Sequence, residues 1–326
     1  MRLKKTLPLQ HGLITFFHDT VSVYLLLQTP KNFICSVLDI DTLDPFGSFL
    51  IKDGVTSSTT YLSNDVLYLT TNEGILGYDS FSGLHTVRCV SDNLIPLDFC
   101  CGNNTIYAVC GIPIVNNKQI NTDNICLASY SFATGKCLSQ GQSISGSFIS
   151  PVHVGGNTWC IVGQNLYKYN NNSEITKTIQ LSFTPTYPPV FGHNFICVAS
   201  EDGHMEIFSE GSHKYLKIFI EKNHSAPVCI DPDTVAWAGL EHLHIVHVGR
   251  RSSEKIPLNS TVSSSIVYLN GIIYAGDKSG NLVSINVDTK AVSYMPVSNT
   301  PLWKPIISDN YVFVASQTGF HQCQIT

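Results

Sequence analysis

Charge is scarce in this 326-residue chain: Asp, Glu, Lys and Arg together make up 13% of it. The 19 basic and 24 acidic residues leave a formal net charge of −5, and the only adjacent basic pairs are Lys4-Lys5 and Arg250-Arg251. A phosphate-binding surface needs a clustered basic face, so nucleic acid is not an expected partner. Long apolar runs are missing too. None approaches the ~18–20 residues of a membrane-spanning helix, so no span is expected. The opening "MRLKK" has the charge of a secretory leader, but Gln10, His11 and Gly12 break the apolar run behind it. There is no nucleophile elbow, P-loop, dinucleotide fingerprint or zinc-protease motif. Gly155-Gly156-Asn157 reads as a hairpin turn, since no helical pattern follows it.

What the chain does have is 14 Tyr, 16 Phe and 23 Gly within a 43% hydrophobic composition, which fits an all-β protein rich in turns. Its eleven cysteines are odd in number. Cys35, Cys110, Cys160 and Cys197 lie inside apolar strand-like runs. Such thiols behave as small buried hydrophobes and suit a reducing compartment, so a cytoplasmic location is expected.

A repeat organises the sequence. Residues 259–298 contain four β-prone runs, "SSIVYL", "IIYAG", "NLVSINV" and "AVSYMPV", separated by "NG", "DKSG" and "DTK". Asn270-Gly271 between alternating apolar runs signals a tight hairpin. One block is therefore a four-stranded antiparallel meander, with strands A to D. Similar blocks occupy residues 10–51, 52–91, 92–144, 145–181, 182–220 and 221–258, whereas 299–326 supplies only A, B and C. The spare D strand stands at the other end. "KKTLPLQ" at 4–10 matches "KTIQLS" at 177–182 and "EKIPLN" at 254–259, each of which closes a block. The expected fold is a single all-β domain, an eight-bladed β-propeller whose last blade is completed by residues 1–9, with Leu3, Leu7 and Leu9 contributing burial.

The stretches "GYDSFSGLHTVRC", "ASYSFATGKCLSQ" and "LVSINVDTKAVSY" resemble the quinoprotein-type (PQQ-like) β-propeller repeat, A-x-D-x-x-T-G-K-x-x-W. Pro151, Pro189, Pro227 and Pro305, each ahead of an apolar run, resemble its A-strand opening. Similar propellers serve as quinoprotein dehydrogenases, as an outer-membrane assembly scaffold lipoprotein, and as the C-terminal propeller of aminoadipate-semialdehyde-dehydrogenase-like adenylating enzymes. The repeat's Trp is replaced here by Arg88, Leu138 and Tyr294. The resemblance thus implies a non-catalytic binding or scaffold module with a protein or peptide partner and no cofactor, including as a piece of a multidomain enzyme. The alternative it implies is an oxidoreductase dependent on PQQ and calcium. That alternative draws on Cys100-Cys101, because quinoprotein alcohol dehydrogenases carry an adjacent cysteine pair against their cofactor. Two ordinary strand residues on opposite faces are the expectation we favour for this pair.

Aligning the repeats places Asp98, Ser150, Pro188, Ala226, Ser265 and Lys304 at the starts of A strands, with Tyr187 and Trp303 just before. On a propeller these line the channel mouth. Tyr187, Asp98, Trp303 and Lys304 are the candidate ligand contacts. The longest insertion, Gly111–Asn124, is a candidate contact loop. His242 and His244 share one strand face with Glu241 nearby, but spacing fixes no third metal ligand, so an outward polar stripe is expected. "EDG" at 201–203 and "DKSG" at 277–280 read as hairpin turns rather than calcium loops.

Overall fold

The computed structural model describes residues 1–91, 93–113, 120–209, 215–222 and 225–325, and every regular element among them is a β-strand. The strands form eight antiparallel sheets. Contacts group them into two compact units, His11–Thr184 and Met1–Gln10 with Pro185–Thr326. Each unit holds four sheets, and each sheet falls within one of the blocks read from the repeat, apart from the two-residue strand Ile144–Ser145 at a block boundary.

In the first unit, blade 1 runs from Gly12–His18 to Pro45–Ile51 and blade 2 from Val55–Ser63 to His85–Cys89. Blade 3 runs from Ile95–Gly102 to Cys137–Gln140, and blade 4 from Phe148–Val154 to Ile175–Gln180. Blade 3 departs from the four-strand expectation, because Ile144–Ser145 adds a short fifth strand beside Ile120–Ser131. The expected contact loop Gly111–Asn124 is partly strand, with Ile112 paired to Asn121 and Pro113 to Ile120. Its tip, 114–119, lies outside the described residues.

The turns follow local chemistry. Between strands A and B, Asn64-Asp65, Asn103-Asn104, Gly155-Gly156 and Asn270-Gly271 all take positive φ at both positions, the type I′ geometry that matches strand twist. Between C and D, "DSFSG" at 79–83 is an Asx turn. Asp79 Oδ1 accepts hydrogen bonds from Ser82 N (2.7 Å), Phe81 N (3.2 Å) and Ser82 Oγ (2.7 Å), and Gly83 supplies φ +68. Asn286 Oδ1 repeats this with Thr289 N at 2.7 Å, and there Lys290 takes the left-handed position.

The B strands lie between two neighbours and are apolar on both faces. Phe195–Ala199, Thr234–Ala238 and Tyr311–Ala315 are buried throughout. Successive blades share cores. Trp237, Val235 and Val246 of blade 6 pack with Cys197, Met205 and Ile207 of blade 5, while Ala236, Leu243 and Ile245 pack with Ile273 and Val283 of blade 7. All eleven cysteines are free thiols, and Cys35, Cys110, Cys160 and Cys197 are buried as expected.

In the second unit, blade 8 is completed as the repeat predicts. Arg2–Pro8 pairs antiparallel with Gly319–Gln324, with Thr6 opposite His321 and Leu7 opposite Phe320, and a bulge between Leu3 and Lys5. Its leucines contribute less than expected. Leu3 is 41% exposed, because D strands are outermost and one face meets solvent.

His321 joins this strand to the sheet. Its Nδ1 lies 3.0 Å from Thr6 Oγ1 and its Nε2 3.0 Å from Ser316 Oγ, and burial lowers its pKa from the ordinary 6.5. The folded protein therefore keeps the ring neutral at a pH where the unfolded chain binds a proton. That contribution to stability is complete above about pH 6.5 and is lost as pH falls towards the folded pKa. We expect the melting temperature to fall between pH 7 and 5, and His321→Gln to flatten that decline in part. An undiminished pH slope in the variant would exclude this role.

Candidate functional site

The lead-in to each A strand of the second unit is pinned by the end of the B strand. Thr186 N donates to Ala199 O (3.2 Å), Ser263 N to Gly276 O (2.9 Å) and Trp303 N to Ala315 O (2.8 Å). In blade 6 the Ser225 hydroxyl takes the place of the amide, donating to Ala238 O at 3.1 Å. Trp303 is held tightly at its backbone, since Leu302 beside it is fully buried and Leu302 O accepts from Ser263 Oγ at 2.6 Å. Its indole is nevertheless 37% exposed. Lys304 follows it with an exposed side chain, although desolvation lowers its ammonium pKa. Water reaches this cation within crowded surroundings, so a ligand can reach it too. Tyr187, at the corresponding place in blade 5, is half-buried against the blade 5–6 core, and burial pushes its phenol up to about 12. It is chiefly a packing residue.

Asp98, in the first unit, is not an exposed group. It is 6% exposed and ties three A strands together. Its Oδ1 accepts from Phe99 N (2.8 Å) and from Ser57 Oγ of blade 2 (3.3 Å), and its Oδ2 from Ser150 Oγ of blade 4 (2.5 Å). Cys100 and Cys101 point to opposite sides of the same strand. Cys101 joins the blade 2–3 core and Cys100 the blade 3–4 core. Burial raises both thiols well above their ordinary pKa, so neither is a ready nucleophile. Ordinary strand alternation accounts for the pair.

The histidines of blade 6 overturn the expectation of an outward stripe. His247 does reach the other face, 3.2 Å from Thr234 Oγ1 and 3.2 Å from Glu254 Oε1. His244, however, is 3% exposed, and a third group, Glu221, approaches both His242 and His244. Burial would raise the Glu221 carboxyl. The backbone N–H groups of Glu241 and His242, with His244, outweigh it and hold the pKa below its ordinary value. Glu221 lies 21 residues before His242 and follows the last strand of blade 5, so no spacing rule points to it. The one local signal is Gly239, where a Cβ would collide with the Glu221 carboxylate.

No protein-family model matches this chain, and no curated protein matches it. Solved structures do. The computationally designed protein Ika8 superposes with a TM-score of 0.77 at 11% identity, over 99% of this chain and 99% of that one. BamB from Moraxella catarrhalis superposes with a TM-score of 0.70 at 11% identity, again over 99% of both. The fold is an eight-bladed β-propeller. At this identity the likeness concerns the fold alone, so the function of this propeller has to be argued from its own residues.

Proposed function

We propose that this propeller is a non-catalytic binding module that docks a protein or peptide through the surface carrying Trp303 and Lys304. The supporting observation is an exposed indole and an adjacent exposed cation on a backbone fixed by Trp303 N and Leu302 O. An exposed Trp on a fixed backbone has the character of an interface anchor, and a neighbouring Lys supplies directional charge. The Asx turns at the C–D corners and the prolines that open the A strands, Pro189, Pro227 and Pro305, support membership of the quinoprotein-type repeat superfamily. The buried free thiols support a reducing, cytoplasmic setting.

A pull-down comparing the wild type with Trp303→Ala, Lys304→Ala tests this, with unchanged circular dichroism as the folding control. The double substitution should reduce partner recovery by roughly 10-fold or more, as for a hot-spot pair. Equal recovery discards this surface as the docking site.

A further inference from the structure

We propose that Glu221, His242 and His244 bind a single divalent transition-metal ion of the zinc class. The three ligand atoms lie within 4.8 Å of one another. Glu221 Oε1 is 3.5 Å from His242 Nδ1 and 3.5 Å from His244 Nε2. An ion with bonds of about 2.0–2.1 Å in tetrahedral geometry sets its ligand atoms roughly 3.3–3.4 Å apart, so the two carboxylate–imidazole separations already fit, whereas the full spread of up to 4.8 Å requires the imidazoles to close on the ion.

An independent observation points to the same place. His244 Nε2 is buried with no hydrogen-bond partner. Glu221 Oε1 lies 3.5 Å from it, at the outer limit for a hydrogen bond, so the pair attracts electrostatically without a well-formed bond. Buried polar nitrogen is seldom left unmatched, and a metal ion would use the lone pair that protein neighbours leave idle.

The carboxylate is also held in place beforehand. Glu221 Oε1 accepts from His242 N at 2.8 Å and from Glu241 N at 3.1 Å, in space that exists because residue 239 is glycine. Outer hydrogen bonds of this kind orient metal ligands. Lys255 stands opposite His244 in the ladder, but it is exposed and its charge is screened by solvent. Two imidazoles and one carboxylate favour a zinc-class ion over calcium or magnesium, which prefer all-oxygen sets. Three protein ligands leave a fourth position. His242 also lines an open concavity of about 390 Å³ with Pro257, Asn259 and Ser260, from which water or a small anion could fill it.

The test is calorimetric titration of chelator-treated full-length protein with Zn²⁺, in parallel with thermal melts. We expect one Zn²⁺ per chain, a raised melting temperature, and no displacement by a hundredfold excess of Mg²⁺. Because His244 is buried, the informative variants are Glu221→Gln and His242→Ala, each expected to weaken binding on the order of 100-fold. Cys137→Ser with Cys229→Ser should leave it unchanged, which controls for zinc held by the more accessible thiols. Absence of binding overturns the proposal, as does Mg²⁺ displacement, retention of full affinity in Glu221→Gln and His242→Ala, or its loss in the cysteine variant.

Discussion

Deleting residues 1–9 should leave insoluble or molten protein. The segment supplies the fourth strand of blade 8, paired at six register positions with Gly319–Gln324. Side-chain links add to the ladder: Lys4 Nζ donates to the Tyr311 hydroxyl at 2.8 Å, and Thr6 meets His321. Four to six backbone hydrogen bonds at ~1 kcal/mol each amount to roughly 5 kcal/mol, a large share of the ~5–15 kcal/mol that stabilises a typical domain. Most of the effect comes from the ladder rather than from leucine burial, since Leu3 is largely exposed. The deletion also leaves Gly319–Gln324, buried over its first five residues, as a bare edge open to pairing with another chain. Size-exclusion chromatography and a melting curve decide the matter. A truncated chain that stays monomeric with the wild-type melting point would show that the strand is dispensable.

Asp98→Ala should cost about 3 kcal/mol without altering any binding surface. The substitution removes the shared acceptor of Ser57 Oγ, Ser150 Oγ and Phe99 N and leaves two hydroxyls without their partner in a closely packed setting. Each orphaned polar group costs ~1–3 kcal/mol, and partial rearrangement keeps the total below the simple sum. Asp98→Asn should be milder, because its amide oxygen can still serve one serine. Chemical denaturation reads both. An Ala variant as stable as the wild type would mean that the three A strands need no common acceptor.

The blade pattern was legible because each strand class carries its own signature. B strands such as "FICVA" and "TVAWA" are apolar on both faces, and D strands such as "KTIQ" alternate because one face meets water. The Asn and Gly of the A–B turns announced their positive φ. The alternation says which face a residue occupies, but not what lies opposite that face. Aligning the repeats puts Asp98 at the channel mouth as a ligand contact, whereas its carboxylate meets two serines of other strands. Alternation likewise puts His244 in an outward stripe, whereas it is buried beside Glu221. Glu221 was missed because its partners are set by how one sheet stacks on the next, which local periodicity does not encode.

Arg2 donates to the side chain of Gln324 across 322 residues of sequence. During synthesis Arg2–Pro8 must wait for Gly319–Gln324 before it can be matched. At ~5–20 residues per second that interval is roughly 15–65 s. Until then a short ribbon carrying Arg2, Lys4 and Lys5 trails unpaired, its cations a safeguard against premature association with other nascent strands.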